Sequence, residues 1–140
     1  MKTRFQIEIA QRVRSAAGDR CGYCLSPQHL VFGKLEIDHL VPVSRGGSDV
    51  KENLWLACRM CNNFKASQIC GIDPQTKQTV PLFNPRQLVW SDHFFWSADG
   101  RMILGLTECG RATVNALQLN NLVAITVRSF WGQAGWHPPH

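Results

Sequence analysis

Apolar residues recur at four-residue intervals from the start of the chain: Phe5, Ile9, Val13 and Ala17 form one stripe, and Arg4, Arg12 and Arg14 lie off it. This period predicts an amphipathic helix over residues 3–17. Thr3 and Gln6 have the spacing of a capping box, and Gly18 supplies a stop. The period then drops to two. Leu35 and Ile37 alternate with Glu36 and Asp38, a strand pattern that Pro42 ends. Residues 44–48 read as a flexible basic loop, residues 53–57 as a second short strand, and residues 62–70 as a helix stopped by Gly71.

From Asp73 and Pro74 onward the texture changes to turns and aromatic residues. Residues 94–96 and 102–106, separated by Ala98-Asp99-Gly100, predict a hairpin with Asp-Gly in the turn. Thr107 is placed to cap a helix through residue 119, and residues 122–131 predict another. Val89, Trp90, Phe94, Phe95 and Trp96 suit either base stacking or a core, and core packing is the expectation. The tail from Gly135 has no readable pattern, and no internal repeat is present.

A chain of 140 residues that is 44% hydrophobic and 18% charged, with five Trp and seven Phe, has the apolar content of one packed domain rather than of a disordered segment. The longest apolar run, residues 122–127, falls far short of the roughly 20 residues that cross a bilayer. No apolar segment follows Met1 and Lys2, so a soluble, unexported, cytoplasmic protein is expected. Fifteen Lys and Arg against ten Asp and Glu give a formal +5, which leans toward a polyanionic partner. Lys2, Arg4, Arg12, Arg14 and Arg20 meet only Glu8 and Asp19 at the start of the chain. Arg12 and Arg14 are therefore candidates for binding nucleic acid, a solvated helix face being the other reading.

Six cysteines in a reducing cytosol hold metal more often than they form disulfides. Cys21-Gly-Tyr-Cys24 and Cys58-Arg-Met-Cys61 are two C-x-x-C knuckles that together can give four thiolates to a tetrahedral Zn²⁺. One knuckle would read equally well as a redox motif; two, with no βαβ pattern around either, read as structural zinc. Four thiolates and one Zn²⁺ carry −2, which draws the working charge toward about +3 and weakens the argument from net charge. Cys70 and Cys109 fall outside the knuckles and read as buried small side chains.

Between and around the knuckles lie Asp38-His39 at a strand end, Pro42, Ser44-Arg45-Gly46-Gly47, Asn53-Leu54 and Cys61-Asn62-Asn63-Phe64-Lys65. In this order and spacing, over roughly residues 18–70, the chain resembles the HNH endonuclease family in its zinc-stapled form, as an H-N-N variant. The resemblance implies an α+β fold in one domain over residues 1–140. It has a ββα-metal core stapled by a four-cysteine zinc site, an N-terminal helix, and a hairpin-plus-helix extension over about 72–140. Residues 72–136 look similar to the extension of many small stand-alone HNH proteins.

The resemblance further implies a divalent cation, Mg²⁺ or Mn²⁺, presented to a phosphodiester of nucleic acid, expected to be DNA, with 5′-phosphate and 3′-hydroxyl ends as products. His39 is then the general base, since neutral imidazole takes a proton from water near neutral pH. Asp38 gives the cation a hard carboxylate oxygen. Adjacent strand side chains point to opposite faces, so both serve one site only if the chain bends there, and Pro42 makes a bend the expectation. Asn53 is the orienting letter, its amide holding the backbone around His39. Asn62 stands where the family usually has His, and its oxygen suits Mg²⁺ or Mn²⁺ better than softer metals. Lys65, one turn along the same helix, and Arg45 in the glycine loop are the expected phosphate contacts, a solvated side chain being the other reading of each. Glu36 shares the strand face of Asp38, where it could assist the metal, a surface acid being the preferred reading, and His29, His93, His137 and His140 read as surface or satisfied side chains. The rival reading is a non-catalytic zinc module that binds nucleic acid or protein.

Overall fold

The computed structural model describes residues 3–139. Met1, Lys2 and His140 lie outside the described residues, and with them the charge read at Lys2 and the surface reading of His140. Where the sequence predicts one domain, the contacts divide the chain into two compact units. The first ends at Ile69 and takes in Asn84–Arg86; the second is formed by Cys70–Phe83 and the residues from Gln87 onward. Among the described residues no helix is long and apolar enough to cross a membrane.

The first unit opens with α1 (Arg4–Ala16), whose N-terminus carries the expected capping box. Thr3 Oγ1 accepts from the Gln6 amide at 3.1 Å, and Gln6 Oε1 accepts from the Thr3 amide at 2.8 Å. Of the predicted stripe only Val13 is buried, and Phe5 is 70% exposed. Strands β1 (Glu36–His39) and β2 (Leu54–Ala57) pair antiparallel, with Glu36 opposite Ala57 and His39 opposite Leu54. Their long connection contains two 3₁₀ turns, Val43–Arg45 and Lys51–Asn53. Gly47 is required in it, because a Cβ there would lie 1.7 Å from the Val41 carbonyl oxygen.

The next helix starts and stops earlier than its sequence pattern implies. α2 spans Arg59–Lys65 and is capped at its N-terminus by the Cys58 sulfur, which accepts from the Cys61 amide at 3.4 Å. A metal-ligand candidate thus doubles as a helix cap, a function for which cysteine gives no sequence signal. The helix ends where Ala66 turns to φ +48. Gly71 is not its stop: Cys70–Ile72 is strand β3, paired with β4 (Thr79–Pro81). The β1–β2–α2 sequence is the expected ββα arrangement, in a fold of mixed helices and two-stranded sheets.

The second unit begins with the β3–β4 hairpin, whose turn is closed by Asp73. The short helix α3 (Trp90–His93) leads into β5 (Phe94–Trp96), which pairs with β6 (Ile103–Gly105). Asp99 and Gly100 do lie in the connecting turn, with Gly100 at φ +73, but the strands end at Trp96 and resume at Ile103, so this is a wide loop rather than a two-residue turn. Thr107 caps α4 (Glu108–Ala116), accepting from the Gly110 amide at 3.0 Å, and Asn121 caps α5 (Leu122–Gln133). Phe83, Phe94, Ile103, Ala112, Leu117 and Leu119 form the core. Of the aromatic run weighed for base stacking, Phe94 is core and Trp90 packs at a tilt against both Phe94 and Trp96, while Val89 and Phe95 are exposed. Cys70 corrects the sequence reading: it is exposed on β3, and Cys109 is only half-buried.

Candidate metal cluster and active site

Each C-x-x-C segment turns back on its own first cysteine. In the first, the Tyr23 amide lies 3.5 Å from Cys21 Sγ, the Leu25 amide reaches the Cys21 carbonyl oxygen, and Leu25 sits at φ +62. Gly22 permits the close approach of Trp55, whose ring would meet a Cβ at 2.4 Å. These turns bring Cys21, Cys24, Cys58 and Cys61 together, all buried, with their sulfurs within 4.8 Å of one another. Cys24 Sγ and Cys58 Sγ are 3.7 Å apart, close to the edge of about 3.8 Å of a tetrahedron with Zn–S bonds of about 2.3 Å. Burial pushes the Cys21 thiol up, and hydrogen bonds donated to its neighbours push Cys61 up. Hydrogen bonds accepted from Cys21, and then from Cys58 and Cys61, pull Cys24 down. Four thiolates cannot share so dry a site without a cation, and the donor set is that of structural zinc.

β1 runs straight through the candidate site. Asp38 stays opposite Trp55 and His39 opposite Leu54, so the expected bend between them is absent and their side chains leave on opposite faces. On one face, Ile37, His39 and Leu54 line a cavity of about 320 Å³ with Phe5, Gln6, Ile9 and Ala10 of α1 and with Asp49. On the other, Glu36 and Asp38 meet α2.

The face toward α2 is polar and paired. Asp38 Oδ2 accepts from the Tyr23 hydroxyl at 2.7 Å and Oδ1 from the Lys65 ammonium at 3.2 Å, each partner of the ion pair only 3% exposed. Burial, with Asp38 beside it, pushes the Tyr23 hydroxyl well up, which keeps it a neutral donor. Lys65 also donates to the His39 carbonyl oxygen at 3.1 Å. It is therefore not a phosphate contact: the last turn of α2 directs it inward, where it neutralises a buried carboxylate. Asn62 does not meet Asp38; its Nδ2 donates to Glu36 Oε1 at 2.9 Å, so Glu36 is a partner within the site rather than a free surface acid. Asp38, Glu36 and Asn62 carry oxygen donors of the hard type, and the Lys65 ammonium is seated on Asp38.

His39 is 30% exposed, and its Nε2 lies 2.7 Å from Asp49 Oδ1. Asn53 holds the connection that carries Asp49. Its Oδ1 accepts from the Val41 amide at 2.8 Å, and its Nδ2 donates to the carbonyl oxygens of Val41 at 3.0 Å and Ser48 at 2.9 Å. Arg45 is exposed, with its Nε donating to the Ser67 carbonyl oxygen at 2.6 Å. Arg12 is exposed on α1 and Arg14 is half-buried. His93 and His137 are satisfied, by the Thr107 hydroxyl and the Gly100 carbonyl oxygen, and His29 is exposed.

Sequence reasoning missed Tyr23 and Asp49 and undervalued Glu36. The alternation of Glu36 with Asp38 did signal a shared face; nothing in periodicity signals Tyr23 inside a knuckle, or Asp49 ten positions beyond His39.

Residues 21–68 match the family model described as HNH endonuclease. A stretch of 49 residues is 39% identical to the CRISPR-associated endonuclease Cas9 of Corynebacterium diphtheriae, covering 34% of this chain and 4% of that protein. The chain thus spans a small fraction of that relative's length. No solved structure matches.

Proposed function

We propose that the chain is a metal-dependent endonuclease that hydrolyses phosphodiester bonds of DNA, with His39 as the general base. One observation carries this reading: a partly exposed imidazole stands at the end of β1, where the backbone is clamped on both sides. Lys65 holds the His39 carbonyl oxygen, and Asn53 holds the chain from Val41 to Ser48. The match of residues 21–68 to HNH endonuclease supports it, as does the likeness to a protein named as an endonuclease.

The imidazole removes a proton from water, and the hydroxide so formed attacks phosphorus. Asp38 and Asn62, with Glu36 beside them, would hold Mg²⁺ or Mn²⁺ on the face of β1 opposite His39, so the end of the strand would have to bend to bring both to one phosphodiester; the cation when bound would offset the charge building on the phosphate and on the departing 3′ oxygen. Arg45 is the phosphate contact on the exposed loop, and Arg12 and Arg14 add basic charge on α1. Cys21, Cys24, Cys58 and Cys61 would hold Zn²⁺, which would staple the first knuckle to the one between β2 and α2. The cytosol suits this arrangement, because the thiols must stay reduced to bind metal.

The test is incubation of the purified protein with supercoiled plasmid in Mg²⁺, in Mn²⁺ and in EDTA. Nicked or linear product with either cation and none in EDTA is the expected result. A rival reading, a zinc module that binds nucleic acid without cutting it, draws on the Lys65 ammonium seated on Asp38. Retarded but uncut plasmid under every metal condition would establish the rival.

A further inference from the structure

We propose that Asp49 is the positioning residue of His39: its carboxylate fixes the imidazole as the Nε2–H tautomer and leaves Nδ1 as the atom that takes the proton. The inference rests on the reading of His39 as general base and adds a residue that neither the family pattern nor the sequence pattern assigns.

Three observations carry it. The His39 Nε2 to Asp49 Oδ1 distance of 2.7 Å is that of a strong, charge-assisted hydrogen bond. A carboxylate can only accept, so the ring nitrogen facing it must carry the hydrogen, and in a neutral imidazole the other nitrogen is then bare. Asp49 is also not a wandering loop residue, although its side chain is 84% exposed. The Ser48 carbonyl immediately before it is held by Asn53 Nδ2, and Gly47 packs its backbone against the Val41 carbonyl, where no side chain fits. Finally, the cavity that His39 lines is otherwise mostly apolar, with Phe5, Ile9, Ile37 and Leu54; besides Asp49, Gln6 is the other polar side chain there, and its Oε1 is engaged by the Thr3 amide. Asn53 therefore acts on His39 twice, through the chain at Val41 and through the placement of Asp49.

The experiment uses the full zinc-loaded chain with histidine labelled in both ring nitrogens. Long-range proton–nitrogen spectra at alkaline pH report the ring protonation and tautomer of each of the five histidines, and the spectrum of His39→Ala identifies the His39 signals. The parent protein is expected to show His39 protonated at Nε2. Asp49→Ala should relax this to a mixture of tautomers, while Asp49→Asn, which keeps an accepting oxygen, should retain most of the preference. In plasmid cleavage, Asp49→Ala should lower kcat by about 10-fold or more with KM nearly unchanged, and Asp49→Asn should recover part of that loss. Zinc content should equal that of the parent in both variants. An unchanged His39 tautomer in Asp49→Ala would overturn the proposal, and so would a changed tautomer with parental kcat. Should the parent cut no substrate at all, the nuclease reading fails, while the tautomer spectra still decide whether Asp49 orients His39.

Discussion

Each compact unit buries one aspartate beside one cation, and the two pairs are built to different specifications. In the second unit Asp73 accepts two parallel hydrogen bonds from Arg111, both at 2.9 Å, one from the Thr76 hydroxyl and one from the Gln75 amide. The Arg111 guanidinium holds its carboxyl well below the usual carboxylate range. Nothing more can approach it, and it closes the β3–β4 turn. In the first unit Asp38 accepts one hydrogen bond on each oxygen, from a neutral hydroxyl and from a single ammonium at 3.2 Å. A carboxylate has about four acceptor sites, so Asp38 retains capacity and its cation is a point charge rather than a fitted fork. The saturated pair has no acceptor site left; the unsaturated one, beside Glu36, Asn62 and the His39 backbone, keeps the free acceptor sites that the proposed cation site requires.

The largest effect that separates the units is metal removal. Structural zinc contributes about 10–16 kcal/mol to the folding of small zinc modules. Cys58→Ser should therefore abolish stoichiometric zinc and remove most of the thermal transition of the first unit. Cys70→Ser and Cys109→Ser should leave zinc content and melting unchanged, as read by metal analysis and calorimetry. One zinc per chain in a stable Cys58→Ser protein would sink the four-cysteine assignment.

Next in size is the buried pair itself. Lys65→Met leaves Asp38 without its ammonium and should cost about 3–5 kcal/mol in denaturant unfolding, the usual penalty for orphaning a buried charge. Asp38→Asn combined with Lys65→Met should recover most of that loss, because no charge is then left unpaired. If the double variant is no more stable than Lys65→Met alone, the pair is not coupled as its geometry requires.

Catalysis comes third. His39→Ala should lose about 10²-fold or more in plasmid cleavage while keeping zinc and DNA binding, since a general base contributes about that factor. Cleavage by this variant at the parental rate, in buffers cleared of contaminating nuclease, would take His39 out of the mechanism.

The smallest expected effect is the acid limb of stability in the second unit. Asp73 has a folded pKa below its unfolded value, so it stabilises fully above the ordinary carboxylate range near about 4 and loses that contribution as pH falls toward its folded value. Asp99, held at about 2 by the Ser97 hydroxyl and Arg101, contributes in the same window with the same sign. The difference in melting temperature between parent and Asp73→Asn should therefore be constant above about pH 5 and shrink below about pH 4. A difference independent of pH would mean that Arg111 does not depend on the Asp73 charge.

What the amino-acid sequence determined by itself is whatever rests on local spacing. Two C-x-x-C turns close on themselves within four residues, and their pairing follows because four soft ligands satisfy one tetrahedral ion. The α1 capping box and the Thr107 cap are likewise contacts across three residues, and Asp99-Gly100 marks a turn from its own backbone preferences. The tertiary structure decided everything that depends on which face of β1 meets which helix. Asp38 and His39 are neighbours in sequence, but an unbent strand sends one toward α2 and the other toward α1, so adjacency alone could not make them one cluster. Lys65 carries the same charge in either setting; only the path of the chain after Phe64 turns it from the solvent to Asp38. Asp49 reaches His39 because Asn53 and Gly47 fold a long connection back on itself, a closure made of hydrogen bonds to backbone carbonyls that no side-chain pattern encodes.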